Sequence, residues 1–580
     1  MSEDTQTLPK DIAAAQGKVN VQINGTWYQI PRGTRIIDAC ESVGIFVPRF
    51  CYHPKLVIAG TCRMCLVEQG MPPRPAPGQA PKYGNDGYQA IQWMPRPIIS
   101  CANTVCENMG IRTNSDLANE VRRGVLEFYL TNHPLDCPIC DQAGECKLQE
   151  FSSDYGQTFS RFTETKTKKG KNLSVGPRIN LDQERCVLCG RCVRFMRDIV
   201  GDEVLSMSQR GTHNAVTIFP GRELDSNYSM NVVDLCPVGA LTSKDFRFQM
   251  RVWFLKETKT IDVNCGTGTN ISIWTRESKA FRITPRQNDE VNSCWMPDSH
   301  RLNYKFINSD QRLPQPVVRT DINAPHRAST WEPCIAGVAA ALKRVEPNQI
   351  AVIASGRMTN EELFLTGKLV KLIGTDKLDI VSRMGEGDNM LIATDANPNT
   401  NGARQILGLQ NPGASIANIL TGVRNGSIKS LVVLGEDLMS DAGFTEDDLK
   451  KLDYLVTMNH TANPMARQAD AVLPGVTFAE KFGTMINITG RLQRLNRAIM
   501  PLGDAHDDWQ ILRDLCIALG GDKEELASII STQDILSLIA RDIPAFAEIT
   551  WGNIGDQGKQ LIDTGVTIPL IEREKARKAN

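Results

Sequence analysis

The sequence predicts a multidomain protein of mixed α+β and α/β class, and three observations predict it. The chain has 580 residues, and a chain that long outgrows one hydrophobic core, so roughly three to five domains are expected. Eleven of its 17 cysteines stand in tight groups before residue 240. After about residue 325, apolar runs such as Ile350–Ala354 and Ser430–Gly435 alternate with helical patterns, the signature of buried parallel strands.

Composition narrows the function classes. Hydrophobic content of 41% and charged content of 23% are those of an ordinary globular protein. A net charge of −1 provides no global basic field for nucleic acid or anionic lipid. The one basic run, Lys166, Lys168, Lys169 and Lys171, sits among Thr and Gly and reads as a solvated linker. The first 18 residues lack an apolar h-region, so secretion is not expected. No run reaches the roughly 18 to 20 apolar residues of a membrane helix, so any membrane role must come through partners. Grouped cysteines without a signal peptide favour metal ligation over disulfides, and place the chain in the cytosol or on the reducing side of a membrane.

The elements follow in order. Val19, Val21 and Ile23 alternate with polar residues, Asn24-Gly25 signals a hairpin, and Trp27–Ile30 resumes the strand. A helix is expected over Thr34–Val43. Residues 71–97 are rich in Pro and Gly and read as an exposed insertion with no core of its own. From Ser115, the spacing of Leu117, Val121, Val125 and Phe128 predicts a helix that His133-Pro134 ends. Residues 152–175 read as a polar linker, and residues 180–250 hold the next cysteine group.

Three ligand sets emerge. The first is Cys51, Cys62 and Cys65, with Cys101 as the expected fourth ligand and Cys106 as its competitor. Four such cysteines could bind zinc, but the long segment CYHPKLVIAGTC is like a ferredoxin loop wrapping a [2Fe–2S] cluster, with Gly60 letting amides approach the sulfides. The second is His133, Cys137, Cys140 and Cys146. Alone, His133 would read as a helix-terminal histidine bonding the last carbonyls. Beside three thiolates with no fourth cysteine nearby, it reads as the remaining corner ligand of a [4Fe–4S] cubane. A neutral imidazole should raise the potential of that cluster, as it does in Rieske centres. The third set, Cys186, Cys189 and Cys192 with Cys236-Pro237, is a C-x2-C-x2-C run plus a distant C-P. In two-cluster ferredoxins that last cysteine ligates the other cluster. With no second triplet here, one four-thiolate [4Fe–4S] site remains. The other cysteines, Cys40, Cys106, Cys265, Cys294, Cys334 and Cys516, read as small buried hydrophobes. No catalytic triad or phosphate loop stands out, and Gly266-Thr267-Gly268 lacks the third glycine of a dinucleotide site.

The ordered motifs PRFCYHPKLVIAGTCRMCLVE, TNHPLDCPICDQAGECKLQE, CVLCGRCVRF and DLCPVGALTSK resemble one family. It is the G subunit of bacterial NADH-quinone oxidoreductase, or the 75-kDa subunit of mitochondrial complex I. The resemblance implies an N-terminal β-grasp [2Fe–2S] ferredoxin domain over 17–110 and a small helical domain over 111–152 whose cluster takes one histidine and three cysteines. It also implies a [4Fe–4S] ferredoxin-like domain over 175–250. The phrases ADAVLPGVTFAEKFGTMINITGRLQRLNRA and IAVIASGRMTNEELFL resemble a molybdopterin-oxidoreductase domain, here truncated over 325–580 and expected to be structural, without molybdopterin. The implied function is an iron–sulfur relay in the peripheral arm. Electrons would pass from a flavin-bearing NADH dehydrogenase subunit to a further iron–sulfur subunit and quinone. As part of a proton-translocating oxidoreductase, the chain would lie on the cytoplasmic side of a bacterial inner membrane, with no nucleic-acid partner and no catalytic site of its own.

Two departures from the family matter. Some members carry a further [4Fe–4S] cluster where this chain has DVNCGTGT and Pro297-Asp298; only Cys265 survives and Cys294 is displaced, so 251–310 is expected to lack its cluster. The stretch between Cys65 and Cys101 is longer than usual, which bears on the fourth [2Fe–2S] ligand. The rival readings are an electron-transfer subunit of a soluble NAD-linked hydrogenase or formate dehydrogenase, and a zinc-stapled scaffold.

Overall fold

The computed structural model describes residues 16–579 except 76, 79, 81, 85 and 321–323. The absence of a secretion signal, expected from the first 18 residues, falls mostly on positions 1–15, outside the described residues. The chain divides into two compact units, one ending at Trp253 and the other beginning at Phe254.

The first unit opens on the expected hairpin, β1 (Lys18–Ile23) and β2 (Thr26–Pro31). Asn24 and Gly25 both take positive φ, 50° and 91°, as a two-residue turn matched to strand twist requires. Further on come β3 (Leu66–Met71), β4 (Gln92–Trp93), β5 (Ile98–Ile99) and β6 (Met109–Arg112). The sheet runs β2-β1-β6-β3-β4, with β5 on β3, and β1 pairs parallel to β6. The helix Ile36–Ser42 buries Ile36, Ile37, Ala39 and Cys40 against Val19, Val21, Val67 and Ile111. This is the grasp of a sheet around one helix.

Residues 71–97 do more than form a loop. They return to the sheet as β4, and Ile91 rests on two glycines, Gly70 and Gly110, where any Cβ would collide with it. Tyr88 stacks on Trp27 at 4.1 Å, and the Arg112 guanidinium sits 3.7 Å over Trp93.

The helix Asp116–Asn132 starts where predicted, with Ser115 accepting from the Ala118 amide. Its buried line is Ala118, Arg122 and Leu126, one position away from the predicted stripe; Phe128 is 81% exposed. A second helix spans Lys147–Tyr155. The rest of the unit holds β7 (Leu173–Ser174), β8 (Ile179–Leu181), β9 (Leu205–Ser208), β10 (Ala215–Ile218) and β11 (Leu241–Ser243), arranged as a β11-β8-β7 sheet and a β9-β10 hairpin. Two short helices, Arg191–Phe195 and Asn231–Leu235, follow the third set's first cysteines and precede its last.

The second unit begins with an antiparallel sheet of β12 (Lys256–Ile261), β13 (Asn270–Arg276) and β14 (Lys279–Pro285). Its main sheet contains β15 (Val317–Val318), β16 (Arg327–Ala328), β17 (Ile350–Ala354), β18 (Leu378–Ile380), β19 (Ser430–Leu434), β20 (Tyr454–Asn459) and β21 (Ala471–Pro474), in the order β16-β15-β21-β20-β19-β17-β18. The five strands from β21 to β18 are parallel. Val352, Val432 and Val456 face helices Asn360–Ile373 and Asp508–Leu519, while Ile353, Val433 and Leu455 face helix Ile416–Arg424. Both faces are covered, which is why these strands read as unbroken apolar runs.

Candidate metal centres

The first set is brought together in full. Cys51, Cys62, Cys65 and Cys101 are all buried. The Cys51 thiol is hydrogen-bonded to those of Cys101 and Cys62, and the Cys65 thiol to that of Cys101, which holds Cys65 down at about 7. Gly60 and Arg63 take left-handed φ of 64° and 58°. These turns aim the amides of Thr61 and Cys62 at the Cys51 sulfur, a nest of N–H groups suited to negative charge. Cys106 is elsewhere: it is exposed, with its sulfur 3.8 Å from the Met71 sulfur.

The second set lines one cavity with all four of its members, His133, Cys137, Cys140 and Cys146. His133 is the C-cap of helix Asp116–Asn132. The carbonyls of Leu130 and Thr131, near that helix end, accept from Lys166 Nζ at 2.6 and 2.8 Å. Burial, then the Arg185 and Lys166 charges, push His133 down to about 4, so at neutral pH its imidazole is the uncharged form that ligates metals. The basic run read as a solvated linker is therefore engaged. Lys166 caps the helix, Lys169 donates to the Asn214 carbonyl at 2.7 Å, and Lys171 meets Asp136 at 2.5 Å and Glu184 at 3.0 Å.

The third set, Cys186, Cys189, Cys192 and Cys236, also lines one cavity, walled by Leu181, Val216, Val238 and Leu241. Leu188 and Gly190 take φ of 51° and 66°, and the Leu188 amide donates to the Cys186 sulfur at 3.4 Å. Burial pushes Cys186 up to about 12 and Cys236 up to about 11. Four thiols packed in apolar surroundings resist becoming thiolates unless a cation joins them. An iron–sulfur cluster supplies that charge, so the donors fit it.

The third set's segment touches both others. Arg194 donates to the Cys51 carbonyl at 2.6 Å. On the other side, Gly239 packs so closely on the Cys140 sulfur that a Cβ there would collide with it, and the Lys147 amide donates to the Pro237 carbonyl at 2.9 Å. Arg185 joins Asp136 at 3.0 Å to Asp182 at 3.3 Å beside the second cavity. Phe50, Leu126, Leu148, Val187 and Val238 form one apolar cluster with Cys51, Cys62 and Cys189. Among the described residues, no three His, Cys, Asp or Glu side chains are arranged to hold a single metal ion.

In the second unit the segment around Cys265 is filled by protein. The Cys265 sulfur lies 3.8 Å from the Leu391 carbonyl, which also accepts from the Thr267 hydroxyl at 2.6 Å. A Cβ on Gly266 would collide with Ile488. A separate cavity of about 290 Å³ lies at the carboxyl ends of β17, β19, β20 and β21 and is lined by Arg357, His460, Lys481 and Asp508. Behind it Lys481 pairs with Glu362 at 2.9 Å and Asp508 at 2.6 Å.

Comparison with known proteins fits this geometry. Residues 16–116 match a 2Fe-2S iron-sulfur cluster binding domain, and 122–161 match the NADH-ubiquinone oxidoreductase-G iron-sulfur binding region. Residues 176–242 match the ferredoxin-like domain of NADH-quinone oxidoreductase subunit 3. The chain is 30% identical to the G subunit of NADH-quinone oxidoreductase of Rickettsia bellii, over 92% of this chain and 90% of that one. It is 31% identical to the mitochondrial 78 kDa subunit of NADH-ubiquinone oxidoreductase of Neurospora crassa, over 88% and 82%.

The chain belongs to the family of NADH-quinone oxidoreductase G subunits. Two further matches of this G-type chain concern the second unit: residues 255–305 match an NDSU1/NuoG-like 4Fe-4S domain and 393–518 a molybdopterin oxidoreductase. The first of these contains only Cys265 and Cys294 here. An NAD+-reducing [NiFe]-hydrogenase structure aligns at 26% identity with a TM-score of 0.33, over 40% of this chain and 91% of that one.

Sequence motifs located the cysteines but not what supports them. Arg191 and Arg194 stand in plain view inside CVLCGRCVRF and Gly239 in DLCPVGAL. Their roles rest on contacts with segments up to 143 positions away, which no local pattern reports.

Proposed function

We infer that this chain is the iron–sulfur electron-relay subunit of the peripheral arm of an NADH-quinone oxidoreductase. The observation that carries the inference is the gathering of three four-ligand sets in one unit around one apolar cluster. We assign a [2Fe–2S] cluster to Cys51, Cys62, Cys65 and Cys101. One [4Fe–4S] cluster is assigned to His133, Cys137, Cys140 and Cys146, and another to Cys186, Cys189, Cys192 and Cys236. When bound, the clusters supply one-electron transfer. The chain's own residues hold them, exclude water and keep neighbouring sets close, with the third set touching the other two. The packed Cys265 segment supports three clusters and no fourth, and the second unit is taken as structural, without molybdopterin.

The domains assigned are 17–110, 111–152, 175–250, 251–310 and 325–580. Electrons would arrive from the flavin-bearing NADH-binding subunit and leave through a downstream iron–sulfur subunit toward quinone. None of the helices among the described residues is long and apolar enough to cross a membrane; we place the chain peripherally, on the cytoplasmic side of a bacterial inner membrane, held by its partners. Affinity purification tests this. Flavin-containing and membrane subunits should come down together with the chain, whereas recovery with hydrogenase or formate dehydrogenase subunits alone would overturn it.

A further inference from the structure

We propose that Arg191 and Arg194 are positioning residues that clamp the Cys51 loop to the Cys186–Cys192 loop and hold up the reduction potentials of the two clusters they separate. The two stand one helical turn apart in Arg191–Phe195 and point into the same junction. Arg194 is 8% exposed. Its guanidinium donates to the carbonyls of Cys51 at 2.6 Å, Cys189 at 3.2 Å and Gly190 at 3.1 Å, and to that of Val57. Arg191 donates to the Tyr52 carbonyl at 2.5 Å and the Leu235 carbonyl at 3.3 Å. One pair of side chains thus bonds the backbone at, and one residue after, a ligand from each set: Cys51 and Tyr52 in the first, Cys189 and Gly190 in the third.

Charge makes the stronger case. Buried cations are ordinarily paired with anions, because desolvating a lone one costs several kcal/mol. Among the described residues neither arginine has a carboxylate in ion-pair reach; all their hydrogen-bond partners are neutral carbonyls. Arg191 also lines the cavity of the third set, and its Nε is buried with no hydrogen-bond partner in the chain. The anions that would complete both groups are the thiolate-ligated clusters themselves. Positive charge and N–H donors beside a cluster favour its reduced, more negative state and raise its potential.

The inference rests on the cluster assignment above, whose own failure would show in the unmutated protein as missing iron–sulfur EPR signals. The test is an EPR-monitored redox titration of the intact assembled complex carrying Arg191→Gln, Arg194→Gln, or either residue changed to Lys. Each Gln variant should move the midpoints of the first and third sites to more negative values. A shift of about 59 mV is tenfold in the reduced-to-oxidised ratio for one electron. The Lys variants should recover most of the shift, and the His133 site serves as the unmoved reference. Retained signals with unchanged midpoints in the Gln variants would overturn the proposal. So would Lys variants, which preserve the charge and are available even if the Gln variants do not assemble, showing a tenfold shift at either site.

Discussion

Lys171 Nζ lies 2.5 Å from Asp136 Oδ2, so a residue of the apparent linker is tied to the loop that carries Cys137. The same ammonium reaches Glu184 at 3.0 Å, two residues before Cys186. One lysine therefore links the entry loops of the second and third sets. Changing Lys171 to Ala should make the cluster proposed at His133 labile. Its EPR signal should decay faster under air or chelator than in the parent protein, while the [2Fe–2S] signal keeps its lifetime. Equal decay rates for parent and variant would remove Lys171 from the account.

The choice between Cys101 and Cys106 yields a sharper prediction. The Cys101 thiol is buried among those of Cys51 and Cys65, whereas Cys106 is exposed beside Met71. Cys101→Ser should abolish the native [2Fe–2S] EPR signal and Cys106→Ser should leave it intact. The reverse result would reassign the ligand.

In the second unit, Lys481 pairs with two buried acidic side chains, Glu362 and Asp508. Lys481→Met strands both, and breaking a buried pair this way costs about 3–5 kcal/mol. Denaturant unfolding followed in that unit should show the loss. The three expected cluster signals should be unchanged in native buffer, since none of the ligands proposed for them lies beyond Trp253.

Two groups of that unit contribute a pH dependence of the same sign. Burial pushes Glu361 up to about 7 against the hydrogen bonds it accepts from Thr484, compared with 4.5 for a free side chain. His300 is disfavoured as a cation by burial, but the Asp262 carboxylate at 2.7 Å outweighs this and holds it above its usual 6.5. Both groups bind protons more tightly folded than unfolded. Their stabilisation is full below the unfolded values and is lost as pH rises through the folded ones. Between pH 5 and 8 these two groups weaken the second unit, Glu361 by on the order of 3 kcal/mol. Burial that pushes His460 down to about 3 acts in the opposite sense below its usual 6.5, so the Glu361 part is read as the difference between unfolding curves of the parent and of Glu361→Gln. Glu361→Gln should flatten the descent; an unchanged slope would contradict the assignment.

Much of this was legible in the sequence because local chemistry dictates it. Asn24-Gly25 demands a tight hairpin, Ser115 caps a helix that Pro134 cannot continue, and unbroken runs such as Ile350–Ala354 suit only a strand covered on both faces. The cysteine spacings alone mark three candidate ligand sets. What was not legible depends on distant partners. The basic run looked solvated because nothing nearby in sequence shows Lys166 meeting helix carbonyls or Lys171 meeting Asp136. The Pro-rich stretch looked coreless because its anchor is the bare sheet surface over Gly70 and Gly110. The helix stripe was displaced by one position because Arg122, a charged residue, occupies the buried line and Phe128 does not.

The most direct test of the central claim is the iron content of the purified full-length chain with its clusters intact. One [2Fe–2S] and two [4Fe–4S] clusters predict about ten iron atoms per chain. A value near fourteen would mean that the packed segment around Cys265 opens to hold a fourth cluster, and would contradict the account.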